Sequence, residues 1–298
     1  MEKRKWTGKT GGSFLGQWGL IALLKFFDIR VGYALMSIVI PFYMIFSGKH
    51  ARAIYHYFRR QFHYSRYSSL IWTYKNHFAF GQVILDRFAV YAGKRDIFDV
   101  EIVGYEHFLK LADGEKGCII AGSHIGNFEI GGYFLRSEKK TFKVLVYAGE
   151  TQTVQNNRAK VLGRNNIHII PILPDMSHLF AVNVALQNGE IVSMPCDRHL
   201  GSAKSVECEF LNGKADFPIG AFALATTLDV EIVSIFVMKT ATKKYKLYVR
   251  PLTIDTKEND TKSEKIERYV RAYVKEVESI VREYPEQWFN YYEFWKDC

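Results

Sequence analysis

A histidine in a glycine-rich turn, followed five residues later by a carboxylate, is the arrangement in this chain best suited to chemistry. The segment reads Cys118-Ile-Ile-Ala-Gly-Ser-His-Ile-Gly-Asn-Phe-Glu-Ile-Gly-Gly132, a strand-like apolar run, then a turn, then a helix. On one continuous helix His124 and Glu129 would point about 140° apart, so they meet only if His124 precedes the helix and Glu129 lies in its first turns. Gly122 and Gly126 permit the backbone angles of a tight turn, and Asn127 or Ser123 can cap the helix. A carboxylate on one ring nitrogen fixes the tautomer and stabilises the imidazolium, leaving the other nitrogen to take a proton from a hydroxyl. The expectation is His124 as general base and Glu129 as the group that orients it.

Two other pairings compete. Cys118 with His124 would make a Cys/His hydrolase, although Cys118 falls in the middle of the apolar run. His199 beside Asp197 is a second candidate base. No His/Cys/Asp cluster has metal-ligand spacing, so neither a metal nor a cofactor is expected. The four cysteines, Cys118, Cys196, Cys208 and Cys298, include no C-x-x-C pair and read as reduced thiols in a cytoplasmic setting.

The elements that must position these residues alternate between strand and helix after Arg95. Phe98–Val103, Gly117–Ala121, Lys143–Tyr147, His168–Ile172, Ile191–Pro195, Glu231–Val237 and Tyr245–Arg250 carry strand patterns. Helical stretches are predicted at Tyr105–Ala112, 128–136, 152–163, 177–188 and 219–228. The last helix is the clearest, with Ile266, Tyr269, Val270, Tyr273, Val274, Val277, Ile280 and Val281 at three- and four-residue spacing before Pro285. This alternation predicts an α/β fold, a mostly parallel sheet flanked by helices, with functional groups at the carboxyl ends of its strands.

The N-terminal third is different. Residues 1–100 hold 15 Lys and Arg against 5 Asp and Glu, and the remainder is close to neutral within a chain of net charge +9. Such a basic segment faces something anionic. Val31 to Gly48 carries no charge, approaches the length needed to cross a bilayer, contains a kinking Pro41, and is flanked by Lys25, Arg30, Lys49 and Arg52; a buried core helix is the alternative. The run starts too far from Met1, and lacks the cleavage site, for a signal peptide. Between Ala51 and Arg95, aromatic and basic side chains interleave, as in Tyr55-His-Tyr-Phe-Arg-Arg-Gln-Phe-His-Tyr-Ser-Arg-Tyr67, a pattern that fits a helix lying at the headgroup level or, for half of these residues, a solvated helix face with core aromatics behind it. The same interleaving can stack nucleobases, but no nucleic-acid motif accompanies it, and nucleic acid is not an expected partner. The chain therefore divides into a membrane-anchoring helical segment, 1–95, and an α/β domain, 96–298.

Taken whole, the stretch around His124 resembles the bacterial lipid A biosynthesis acyltransferases, the lauroyl and myristoyl transferases within the lysophospholipid acyltransferase group. That family carries His, four residues, then Asp or Glu, commonly within Gly-Asn-aromatic-Glu, here Gly126-Asn127-Phe128-Glu129. Three later blocks are similar to the family in the same order: Asp197-Arg-His-Leu-Gly201, Phe210-Leu-Asn-Gly-Lys-Ala-Asp-Phe-Pro-Ile-Gly220 and Tyr284-Pro-Glu-Gln-Trp288. After Trp288, Phe289-Asn290-Tyr291 stands where relatives usually have a further Trp and an Arg.

The resemblance implies a glycerol-phosphate-acyltransferase-like fold and transfer of a fatty acyl chain from acyl carrier protein, or acyl-CoA, to a hydroxyl of a membrane lipid such as a lipid A precursor. An aminoacyl lipid or a lysophospholipid is the alternative acceptor, and a non-catalytic lipid-binding protein the alternative class. It implies His124 and Glu129 as the catalytic pair, with Asn127, Arg158, Arg164, Asp197 and Arg198 as substrate-binding candidates, and the cytoplasmic face of the cell inner membrane as the location. The oxyanion of the tetrahedral intermediate would need donors such as the backbone N–H groups of the Gly122–Asn127 turn or a nearby arginine.

Overall fold

The segment Cys118–Gly122 is apolar on both faces, so it must lie inside a sheet covered on two sides. A computed structural model describes residues 14–147, 166–173, 177–198 and 204–296, and it places this strand at the centre of a seven-stranded sheet. The strands are β1 (Asp99–Val103), β2 (Cys118–Gly122), β3 (Phe142–Tyr147), β4 (Ile167–Ile172), β5 (Ile191–Pro195), β8 (Glu231–Ala241) and β9 (Lys244–Pro251), in the order β1-β9-β8-β2-β5-β3-β4. Every neighbouring pair is parallel except β8 and β9, consecutive strands that turn back on each other. The expected α/β fold with a mostly parallel sheet is observed.

A separate antiparallel hairpin, β6 (Ser205–Phe210) with β7 (Gly213–Pro218), was not among the predicted strands. Its first strand alternates buried Cys208 and Phe210 with exposed Ser205, Glu207 and Glu209, which keeps it from reading as an apolar run. The predicted helix at 152–163 lies outside the described residues.

The helices are α1 (Phe14–Phe26), α2 (Ile29–Phe46), α3 (Gly48–His56), α4 (Arg66–Tyr91), α5 (Tyr105–Asp113), α6 (Phe128–Phe134), α7 (Ser177–Gln187), α8 (Gly220–Leu228) and α9 (Lys262–Glu283). A capping box between Thr261 and Glu264 starts α9, whose predicted apolar stripe is buried from Val270 to Val281. One apolar cluster joins α7, α8 and α9 to one face of the sheet. A second joins α4, α5 and α6 to the other.

Around Tyr57 the interleaved aromatic segment takes the second of its two expected forms, core aromatics behind a more exposed face. Tyr57 and Phe58 are buried, with Tyr57 packed against Trp288 and Trp295, and both sit in the same cluster as Ile119 and Val277. These rings fill the core because the C-terminal Trp288, Phe294 and Trp295 close over them. Residues before and after 95 thus share one apolar core.

α2 is 18 residues long with a mean hydropathy of 1.8, long and apolar enough to cross a membrane, and 22% of it is buried. Its buried face, with Ile29, Gly32, Tyr33 and Ile40, packs on α4, while Ile38, Val39, Phe42, Ile45 and Phe46 are exposed.

Candidate active site

Two neighbouring parallel strands bring His124 and Asp197 together. β2 and β5 are in register with Gly122 opposite Pro195, and each chain then runs two residues further, to His124 and to Asp197. The carboxyl end of a parallel sheet is where such loops converge. His124 Nδ1 lies 2.8 Å from Asp197 Oδ1, and the His124 backbone N–H donates to Asp197 Oδ2 at 2.6 Å. An ionised carboxylate only accepts hydrogen bonds, so Nδ1 carries a proton, and in the neutral ring Nε2 presents its lone pair. The imidazole is partly exposed while Asp197 is buried.

Burial pushes the Asp197 carboxyl up. The opposing effects of the His124 charge, its hydrogen bonds and nearby Arg198 prevail, and the group stays below the usual carboxylate range.

Asp197 therefore occupies the place that the spacing assigned to Glu129. Glu129 lies in the first turn of α6, as expected, but its carboxylate accepts from Arg87 Nη1 at 3.1 Å and from the Tyr91 hydroxyl at 3.0 Å. Arg87 and Tyr91 are one turn apart on α4 and present one face to the α6 N-terminus. Nothing in the local 118–132 motif reveals them, because the contact is made across more than thirty residues of chain. Asp197 follows its strand by two residues, as His124 follows its own, but only the register of the two strands shows that these ends meet.

Asn127 was expected to touch substrate, but its side chain is buried and engaged. It caps α6, accepting from Ile130 N, and its amide donates to the Tyr245 hydroxyl at 3.2 Å. The turn's backbone is equally committed. His124 N–H is held by Asp197, Gly126 N–H by Gln287 O at 2.8 Å, and Asn127 N–H by Val237 O at 2.8 Å. These three donors are committed within the protein, because the turn is stitched on both sides. Phe289 N–H completes the seam by donating to His124 O. Gly126 is required here: its φ is +62°, and a Cβ would lie 2.1 Å from Val237 O.

The C-terminal block thus supports the turn from its backbone. Asn76 on α4 donates to Glu286 O and Trp288 O, so the strap is fixed from behind as well. Arg198 donates to Phe289 O at 2.9 Å, beside the site. Arg158, Arg164 and His199 lie outside the described residues. Cys118 is buried in β2 with its thiol pushed up to about 12 by desolvation, which leaves it unsuited to nucleophilic work. Among the described residues no group of three or more His, Cys, Asp or Glu could hold a metal ion.

A partly exposed histidine backed by a buried carboxylate is a general base in form, and many folds host one. What decides its kind is that the family profile of bacterial lipid A biosynthesis acyltransferases matches residues 76–297. The chain belongs to that family. The match takes in α4 from Asn76 onward, the His124 turn, Asp197 and the C-terminal strap. No curated protein matches the chain. As a lipid A-type acyltransferase it acts on a lipid acceptor, and among the described residues the acyltransferase carries one helix, α2, that suits the membrane association usual in its family.

Proposed function

We propose that this acyltransferase moves a fatty acyl chain from an acyl thioester, carried by acyl carrier protein or coenzyme A, to a hydroxyl of a lipid A precursor at the cytoplasmic face of the inner membrane. The observation that carries the reading is the His124–Asp197 pair at 2.8 Å, standing at the ends of adjacent strands within the matched region. His124 Nε2 takes the proton of the acceptor hydroxyl as its oxygen attacks the thioester carbonyl. The tetrahedral intermediate collapses, the C–S bond breaks, and the imidazolium returns its proton to the departing thiolate. Asp197 holds the ring and offsets its transient positive charge. The products are an ester and a free thiol, and the route uses neither a cofactor nor an acyl-enzyme.

Glu129 joins α6 to α4 through Arg87 and Tyr91, fixing the helix that follows His124. The exposed apolar face of α2, bordered by Lys25, Arg30, Lys49 and Arg52, suits an anionic membrane surface that also holds the acceptor. The test is purified protein in mixed micelles with a lipid A precursor, supplied with lauroyl-acyl carrier protein or lauroyl-CoA. Acyl transfer from either donor that vanishes in His124→Ala supports the reading. Lipid binding without turnover under every condition refutes it in favour of a binding protein.

A further inference from the structure

Asp86 on α4 has no exposed surface, and three donors from three other elements converge on it. Tyr33 of α2 and Tyr245 of β9 each donate a hydroxyl to its carboxylate, and Lys239 Nζ of β8 lies 2.6 Å from Oδ2. The network continues into the active site. The Tyr245 hydroxyl accepts from Asn127 Nδ2, and Asn127 caps α6 three residues after His124. Tyr33, Asp86, Tyr245 and Asn127 therefore form one unbroken buried chain from the apolar helix to the turn that carries the base.

Stability is a weak reason for keeping such a chain. A buried carboxylate and ammonium are costly to desolvate, and an apolar replacement of equal volume would serve a core as well. What the polar chain adds is direction, since each hydrogen bond fixes the next group's orientation. Its outer end is Tyr33, on the buried face of α2, the helix whose other face is exposed and apolar. Gly32, the preceding residue, lets α2 approach closely enough for Leu85 to lie 3.2 Å from the position a Cβ would take.

We propose that Asp86 is a positioning residue for acyl transfer, holding the His124 turn through Tyr245 and Asn127 and making that hold depend on α2 being seated with Tyr33 on the same carboxylate. The inference rests on the reading of His124 as the base. Seating α2 on α4, as contact with a lipid surface would favour, completes the chain that orders the turn.

The test is a double-mutant cycle in the micelle assay with lauroyl-acyl carrier protein and a lipid A precursor. Tyr33→Phe and Tyr245→Phe each remove one hydroxyl and leave the core filled, which avoids the folding risk of Asp86→Asn beside a buried lysine. Each is expected to lower kcat about 5- to 20-fold with KM within about twofold, and the pair together to cost little more than the larger single effect. The His124 ring 13Cε1 resonance, identified by its loss in His124→Ala, is expected to shift in Tyr33→Phe. A purely structural network would lower melting temperature while leaving kcat and that resonance at wild-type values below the transition. Wild-type kcat in both single variants, or effects that multiply in the double variant, would overturn the coupling while an inactive His124→Ala leaves the base intact. An active His124→Ala would overturn the base and this inference together.

Discussion

Replacing Asp197 by Asn separates the two carboxylates near His124. The change keeps size and burial, and its amide oxygen can still accept from the His124 backbone N–H, now 2.6 Å from Oδ2. The amide nitrogen then faces Nδ1, which must give up its proton to accept, and Nε2 becomes a donor unable to take a proton from the acceptor. The charge itself is also lost. Unit charges about 4 Å apart interact by about 4 kcal/mol at an effective dielectric near 20, which is roughly a thousandfold in rate. With the wrong tautomer added, kcat is expected to fall about 10³- to 10⁴-fold. Glu129→Gln removes a charge from a partner of Arg87 and Tyr91, and a positioning loss of about 1.5–3 kcal/mol corresponds to roughly 10- to 100-fold. Single-turnover acyl transfer to a lipid A precursor measures both. A fully active Asp197→Asn beside a Glu129→Gln protein slowed more than a thousandfold would refute the assignment of Asp197 and restore Glu129 as the orienting group.

The remaining predictions concern how the site is held. Gly126→Ala must adopt a left-handed φ and displace the Val237 carbonyl, so it is expected to lose about 3 kcal/mol or more in urea unfolding; a loss under about 1 kcal/mol would contradict the stitched turn. Trp288→Ala empties a site packed by Tyr57, Phe210 and Trp295 and is expected to cost about 3–5 kcal/mol, with activity falling as the strap loosens. Asp197 also makes stability depend on pH. Its folded pKa lies below the unfolded value near 3.8, so its contribution is present above that value and lost as pH falls through the folded one. The stability gap between wild type and Asp197→Asn is accordingly expected to narrow below pH about 4, and a gap that widens there would contradict a charged, paired Asp197.

The sheet was legible because its central strands are apolar on both faces, and the predicted runs at Gly117–Ala121 and Ile191–Pro195 lie within a residue of β2 and β5. The turn was legible because Gly122 and Gly126 bracket His124 and Asn127 can cap the helix that follows. The partner of that histidine was not, because five residues along the chain is a nearer prospect than the seventy-three that separate His124 from Asp197. Only strand register places the two together. The aromatic segment around Tyr57 left two readings open for a related reason. Rings at a membrane interface and rings in a core have the same composition, and the covering Trp288 and Trp295 lie at the far end of the chain.

Mass spectrometry of total lipids tests the acyl-transfer reading most directly. Cells expressing the intact protein would be compared with cells expressing His124→Ala at equal membrane abundance, in a host that makes both a lipid A precursor and acyl carrier protein. A lipid heavier by one acyl chain only with the intact protein is the expected result. Identical lipid profiles from the two would contradict a catalytic His124.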